Sequence, residues 1–135
     1  MNQLFVDNLT VIDFAYLDHQ RGLVGESWIV DVVLAGELDE QGMVFDFGSV
    51  KRTIKQVIDE RVDHRLVIPT GQPGIQIQQQ GDVSVVEWPL ADGSVITHRS
   101  PAEAILALDG SQVVPSAVSA LLESELRAVL PANVI

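Results

Sequence analysis

An α+β fold, with an antiparallel sheet backed by helices and a β-meander inserted along the chain, is predicted by three features of this 135-residue sequence. Two long segments near the N-terminus alternate apolar and polar residues. One later segment carries an apolar stripe at helical spacing. Glycine–aspartate turns then punctuate a run of short alternating segments. The length suits one domain, 1–135, with a core of its own.

The first element is "LFVDNLTVIDFAYL", Leu4 to Leu17, where β-branched and aromatic residues alternate with Asp, Asn and Thr. It reads as a strand or a bent strand pair. After the polar loop "DHQRG", the segment "SWIVDVVLAGEL" places Trp28, Val30, Val32 and Leu34 on one parity. Asp31 and Glu37 share the other with Ile29 and Val33, so one face is apolar and the other mixed. The two segments are expected to form an antiparallel hairpin.

"DEQG" is a turn and "MVF" an extended lead-in, after which Asp46 can cap a helix over 47–62. Phe47, Val50, Ile54, Val57, Ile58 and Arg61 follow its spacing, with Lys51, Arg52, Lys55 and Glu60 outside the stripe. Beyond the loop "TGQPG", the segments "IQIQQQ", "VSVVEWPLA" and "SVITHR" are split by Gly81-Asp82 and Asp92-Gly93. That predicts a three-stranded meander over 75–99, polar on one side and peripheral. Ser100-Pro101-Ala102-Glu103 has the order of a capping box, so a short helix ending near Asp109-Gly110 is expected. A second helix starts at Ser116, carries Val118, Leu121, Leu122, Leu126 and Val129 on one side, and stops at Pro131.

Composition restricts the function classes. The net charge of −11 opposes binding to nucleic acid or to an anionic membrane surface, both of which need a basic footprint. No apolar run approaches the about 20 residues of a membrane span, and "MNQLFVDNL" is not a signal peptide. A cytoplasmic protein is the expectation. The absence of cysteine removes disulfides, thiolate metal sites and cysteine nucleophiles.

Asp63-His64 follows the first helix directly. A carboxylate beside an imidazole can hold the ring and raise its basicity, as general base catalysis requires; a polar helix exit is the competing reading. His19, His64 and His98 show no metal-ligand spacing, so no metal site is expected within this chain. His19 reads as a solvated loop residue. Asp39-Glu40 and Asp59-Glu60 read as surface, and Glu103 as a cap rather than a ligand-binding carboxylate. Trp28 and Trp88 read as core or interface.

Taken together, "VDVVLAGELDEQGMVFDF", the helix from Ser49 to Val62, "VDHRLV" and the Pro115-Ser116-Ala117 helix start resemble the 6-pyruvoyltetrahydropterin and 6-carboxytetrahydropterin synthase family. The resemblance covers Leu4–Pro69 and, more weakly, Pro115–Ile135, with about 70–114 as an insertion. It implies a tunnelling fold, assembly into oligomers, and a zinc-dependent lyase acting on 7,8-dihydroneopterin triphosphate. Asp63 and His64 match the family's catalytic Asp-His pair. The family's zinc histidines fall on Ala15, Val24 and Glu26, its catalytic cysteine has no counterpart, and its second-helix glutamate falls on Val118. The resemblance is closest to the N-terminal half of longer, duplicated members, cut before the last strands. A zinc-bearing second half or subunit, a homo-oligomer and a pterin-like small molecule are the partners this implies.

Overall fold

The computed structural model describes residues 2–36 and 47–130. The "DEQG" turn, the "MVF" lead-in, the Asp46 cap, the Asp39-Glu40 pair and the Pro131 stop lie outside the described residues. The elements run β1 (Asn2–Asp18), β2 (Gly22–Gly36), α1 (Phe47–Arg61), β3 (Leu66–Pro69), β4 (Gln76–Gln80), β5 (Val83–Pro89), β6 (Val95–Pro101), a 3-10 turn (Ala102–Ala104), β7 (Ile105–Leu108) and α2 (Pro115–Arg127).

β1 and β2 form the expected antiparallel hairpin, from Asp18↔Gly22 at its turn to Asn2↔Gly36. The "bent" character of β1 is a bulge between Val6 and Thr10. Asn8 sits there with φ 53°, a left-handed conformation asparagine tolerates, and its N–H donates to Asp31 Oδ1 at 2.7 Å.

The main sheet has the order β2-β1-β3-β7. It is mixed rather than wholly antiparallel, because β3 runs parallel to β1 and β7 parallel to β3. α1 carries the chain back across the sheet, so β3 enters beside β1 in the same direction. All four residues of β3 are buried, the pattern of a strand covered on both faces.

On one face, Ile12, Phe14 and Tyr16 pack under Ile54, Ile58 and Val62 of the α1 segment and under Val118 and Leu122 of α2. This is the helix-backed core that the sequence stripe predicts. Val129 does not belong to it: α2 ends at Arg127 and Val129 is 51 % exposed.

The meander β4-β5-β6 forms as predicted, with antiparallel pairing throughout. It is not peripheral. Val86 and Trp88 project from β5 onto Leu17, Leu66 and Ile68 and make a second core on the opposite face of the main sheet. The Trp88 indole N–H donates to the Asp18 carbonyl at 3.3 Å. This mixed payload of apolar surface and one satisfied donor explains why a tryptophan sits there.

The short helix expected after Ser100 is absent. A three-residue 3-10 turn leads into β7, where Leu106 and Leu108 are buried and Ala107 is exposed. Alternation with period two decides for a strand, and pairing with β3 satisfies its backbone. The capping box does not form either, since the Ser100 hydroxyl donates to the Pro101 carbonyl. Gly71 ties the loop after β3 to the end of β7. Its N–H donates to the Gly110 carbonyl at 2.8 Å, and a Cβ at Gly71 would stand 2.7 Å from Gly110 C.

Candidate functional site

The sequence-predicted pair lies where α1 ends and β3 begins. The Arg65 guanidinium donates to the Glu60 carbonyl at 2.9 Å and to the Asp63 carbonyl at 3.4 Å, so a cation satisfies free carbonyls at the helix exit. His64 has φ 60°, and its N–H donates to the Asp13 carbonyl at 2.7 Å. Asp63 Oδ1 in turn accepts the Asp13 N–H at 2.9 Å. Two bonds therefore clamp the helix exit to the middle of β1 and start the parallel β1–β3 pairing at Ala15 N–H to Arg65 carbonyl, 3.1 Å.

The side chains differ in freedom. The Asp63 side chain is 19 % exposed and the His64 ring 74 %. His64 Nε2 stands 3.8 Å from Asp63 Oδ1, an ion-pair distance for a protonated ring but too long for a hydrogen bond. Asp13 joins them: one ligand atom each of Asp13, Asp63 and His64 lie within 4.8 Å of one another. Across the hairpin, the Ser27 hydroxyl donates to Asp13 Oδ1 at 2.5 Å. Two carboxylates beside an exposed imidazole can take up and release a proton at the surface of the sheet.

Sequence reasoning found Asp63 and His64 and missed Asp13 and Ser27. The signal was present, because counting outward from the "DHQRG" turn pairs Asp13 with Ser27.

Ala15, Val24 and Glu26, to which the resemblance assigns the family's zinc histidines, are arranged differently. Ala15 pairs with Gly25, on the face away from Val24 and Glu26; the residue opposite Val24 is Tyr16. Tyr16 is buried at 7 % exposure, and its hydroxyl is bonded by the Arg21 guanidinium. Arg21 also lies over the ring, 5.9 Å from its centroid. Next to it, Phe14 packs edge-to-face on Trp28 with centroids 4.8 Å apart. Ring packing and a fixed cation occupy this region, and only Glu26 offers a metal ligand atom. These residues do not fit a zinc ion.

The remaining candidates fall outside the site. His19 lies in the β1–β2 turn but is not fully solvated: the residue is half-buried, its carbonyl accepts the Ala91 N–H at 3.0 Å, and its Nδ1 is buried without a partner. His98 likewise buries Nε2. Asp59 pairs with Lys55 at 2.8 Å and Glu60 accepts from Gln56 at 2.9 Å, as surface groups do. No helix among the described residues is long and apolar enough to cross a membrane.

Compared with known proteins, residues 11–104 match the family model described as 6-pyruvoyl tetrahydropterin synthase. The chain belongs to that family. Among curated relatives of this 6-pyruvoyl tetrahydropterin synthase family, the 6-carboxy-5,6,7,8-tetrahydropterin synthase of Rickettsia bellii is 37 % identical over 54 residues, 39 % of either chain. A Pyrococcus horikoshii protein provisionally named for the same activity is 27 % identical over 81 residues, 60 % of this chain and 46 % of its own. The chain thus spans less than half the length of the curated relatives it matches. In structure, the 6-pyruvoyl tetrahydropterin synthase of Plasmodium vivax superposes with a TM-score of 0.70 at 20 % identity, over 94 % of this chain and 78 % of that one. The Plasmodium falciparum enzyme gives 0.70 at 17 % identity with the same coverage. The fold is the family's α+β tunnelling fold, with the meander inserted between β3 and β7.

Proposed function

We propose that this chain is a 6-pyruvoyltetrahydropterin/6-carboxytetrahydropterin synthase-like module that supplies a proton-handling pair, Asp63 and His64, to a site completed by another half of the protein or another subunit. In the family the reaction is that of a lyase on 7,8-dihydroneopterin triphosphate. The observation that carries the proposal is the contrast within one hairpin. Asp63-His64 is held to the Asp13 backbone by two hydrogen bonds, one from the His64 N–H and one to the Asp63 carboxylate, while Ala15, Val24 and Glu26 cannot together hold zinc. Zinc in a working assembly would then come from residues outside this chain.

A homo-oligomer is part of the proposal. β2 is an edge strand of the sheet, and Phe5, Val11, Ile29 and Val33 leave an apolar strip exposed on its open face. Free edges and apolar strips favour pairing. That strip also supports a second reading, a non-catalytic module for oligomerisation or for binding a pterin-like ligand. Turnover of 7,8-dihydroneopterin triphosphate and bound zinc, measured on the 135-residue chain and on the longest natural form, test the proposal. The short chain is expected to show neither. Replacing His64 by Ala in the longest form is expected to lower turnover about a hundredfold or more; an unchanged rate selects the second reading. Zinc-dependent turnover by the short chain alone would overturn both.

A further inference from the structure

The Asp63–His64 pair does not hold its own imidazole. Among the described residues nothing hydrogen-bonds to the His64 ring, which is 74 % exposed and 3.8 Å from its nearest carboxylate oxygen on Asp63. Asp63 has limited freedom to follow the ring, because its Oδ1 already accepts the Asp13 N–H. The second carboxylate in reach is that of Asp13.

We infer that Asp13 is a positioning residue for His64 and that Ser27 is its tether, so that the working unit is drawn from β1, β2 and the α1–β3 turn together. The inference rests on the reading of Asp63-His64 as a proton-handling pair. Asp13 reaches its neighbours in two separate ways. Its backbone N–H and carbonyl make the two clamps to Asp63 and His64, which any residue at position 13 except proline could make. Its carboxylate adds something the clamps do not need. It places a second carboxylate beside the imidazole, where it favours one orientation of the ring. The Ser27 hydroxyl, at 2.5 Å from Oδ1, fixes the rotamer that keeps the charge there. The neighbouring cations are engaged elsewhere: Arg65 is turned to the carbonyls of Glu60 and Asp63, and Lys55 pairs with Asp59.

The separation of backbone and side-chain roles makes the test clean. Asp13→Asn keeps shape and clamps but removes the charge. Ser27→Ala keeps the charge but frees it, and Ser27→Thr restores the tether. The ring proton and carbon signals of His64 are followed by NMR in each variant, with His19 and His98 as internal references. Turnover is measured in the longest natural form. The expected result is that the His64 signals move in Asp13→Asn and in Ser27→Ala while those of His19 and His98 stay. With this, kcat falls about tenfold in Asp13→Asn with KM little changed, and Ser27→Thr returns both readouts toward the parent. His64 signals that superimpose on the parent's in both variants overturn the inference. So does an unchanged kcat in Asp13→Asn where His64→Ala is impaired. If His64→Ala leaves turnover unchanged, the proton-handling reading fails, and the NMR signals still decide whether Asp13 positions the ring. Ser27→Ala, which removes one exposed hydroxyl, keeps the test available should Asp13→Asn fold poorly.

Discussion

On one side of the main sheet Ile12, Phe14 and Tyr16 disappear beneath α1 and α2, whereas on the other side Val11 and Asp13 of the same strand remain exposed, and the meander buries Leu17 and half-covers Ala15. The three positions to which the family resemblance assigns zinc histidines do not share a face: Val24 and Glu26, opposite Tyr16 and Phe14, belong to the helix side and Ala15 to the other. The helix side at that point is filled with rings and an arginine. The other side carries the Asp13, Ser27, Asp63 and His64 group. The two faces of one strand are thus positioned by different elements: α1 and α2 pack one, while the hairpin partner and the α1–β3 turn hold the polar group on the other.

The strongest way to break this contrast is to remove the covering of the second face. Trp88→Ala is expected to cost about 3–5 kcal/mol, read from urea or thermal unfolding. Ile54→Ala on the helix side should cost about 2–5 kcal/mol. The two residues belong to separate clusters, so the double variant should be close to additive. A cost below about 1 kcal/mol for Trp88→Ala, the range of surface substitutions, would make the meander the peripheral unit that its polar strand β4 suggests.

A smaller effect sharpens the assignment of faces. Introducing Tyr16→His with Val24→His and Glu26→His puts three imidazoles on one face near the hairpin turn. This triple variant should bind zinc about a hundredfold more tightly than the variant with Ala15→His in place of Tyr16→His, because three convergent ligands are needed and Ala15 faces away. Equal binding, by titration calorimetry or elemental analysis, would mean that the strand register does not separate the two positions.

Much of this was legible because strong local patterns were left unopposed. The hairpin, α1, the meander and α2 follow from alternation, the 3.6-residue stripe and glycine turns. The stretch 100–108 was not legible. Ser-Pro-Ala-Glu has the chemistry of a helix start, and the four residues of β7 are too few to show alternation against it. Only pairing with β3, nearly 40 residues earlier, decides between them. The parallel direction of β3 was hidden for the same reason, since it depends on where α1 returns the chain. At the site, adjacency in sequence gave Asp63-His64. Asp13, fifty positions from Asp63 in the sequence, is brought there by the fold, and in the sequence it is one more polar position in an alternating strand.

The smallest effect compares two serine–aspartate bonds of the same length in different settings. The Ser94 hydroxyl donates to Asp92 Oδ1 at 2.5 Å, as Ser27 does to Asp13, but across two residues of the β5–β6 turn rather than across two strands. The Ser94 hydroxyl, with help from the Ser94 N–H at 2.9 Å, holds the Asp92 carboxyl below the usual carboxylate range. A carboxyl whose folded-state pKa lies below its unfolded value binds fewer protons when folded. Its stabilising contribution is complete above the unfolded value and disappears as pH falls through the folded one. Ser94→Ala should therefore lower Tm slightly at neutral pH, with the difference closing toward the acid end of the titration. The group is fully exposed, so the effect should also shrink with added salt. His64 signals should not respond to Ser94→Ala at all, while they move in Ser27→Ala. If both serines act alike, on stability alone, the cross-strand bond is an ordinary surface contact and the open face loses its distinction.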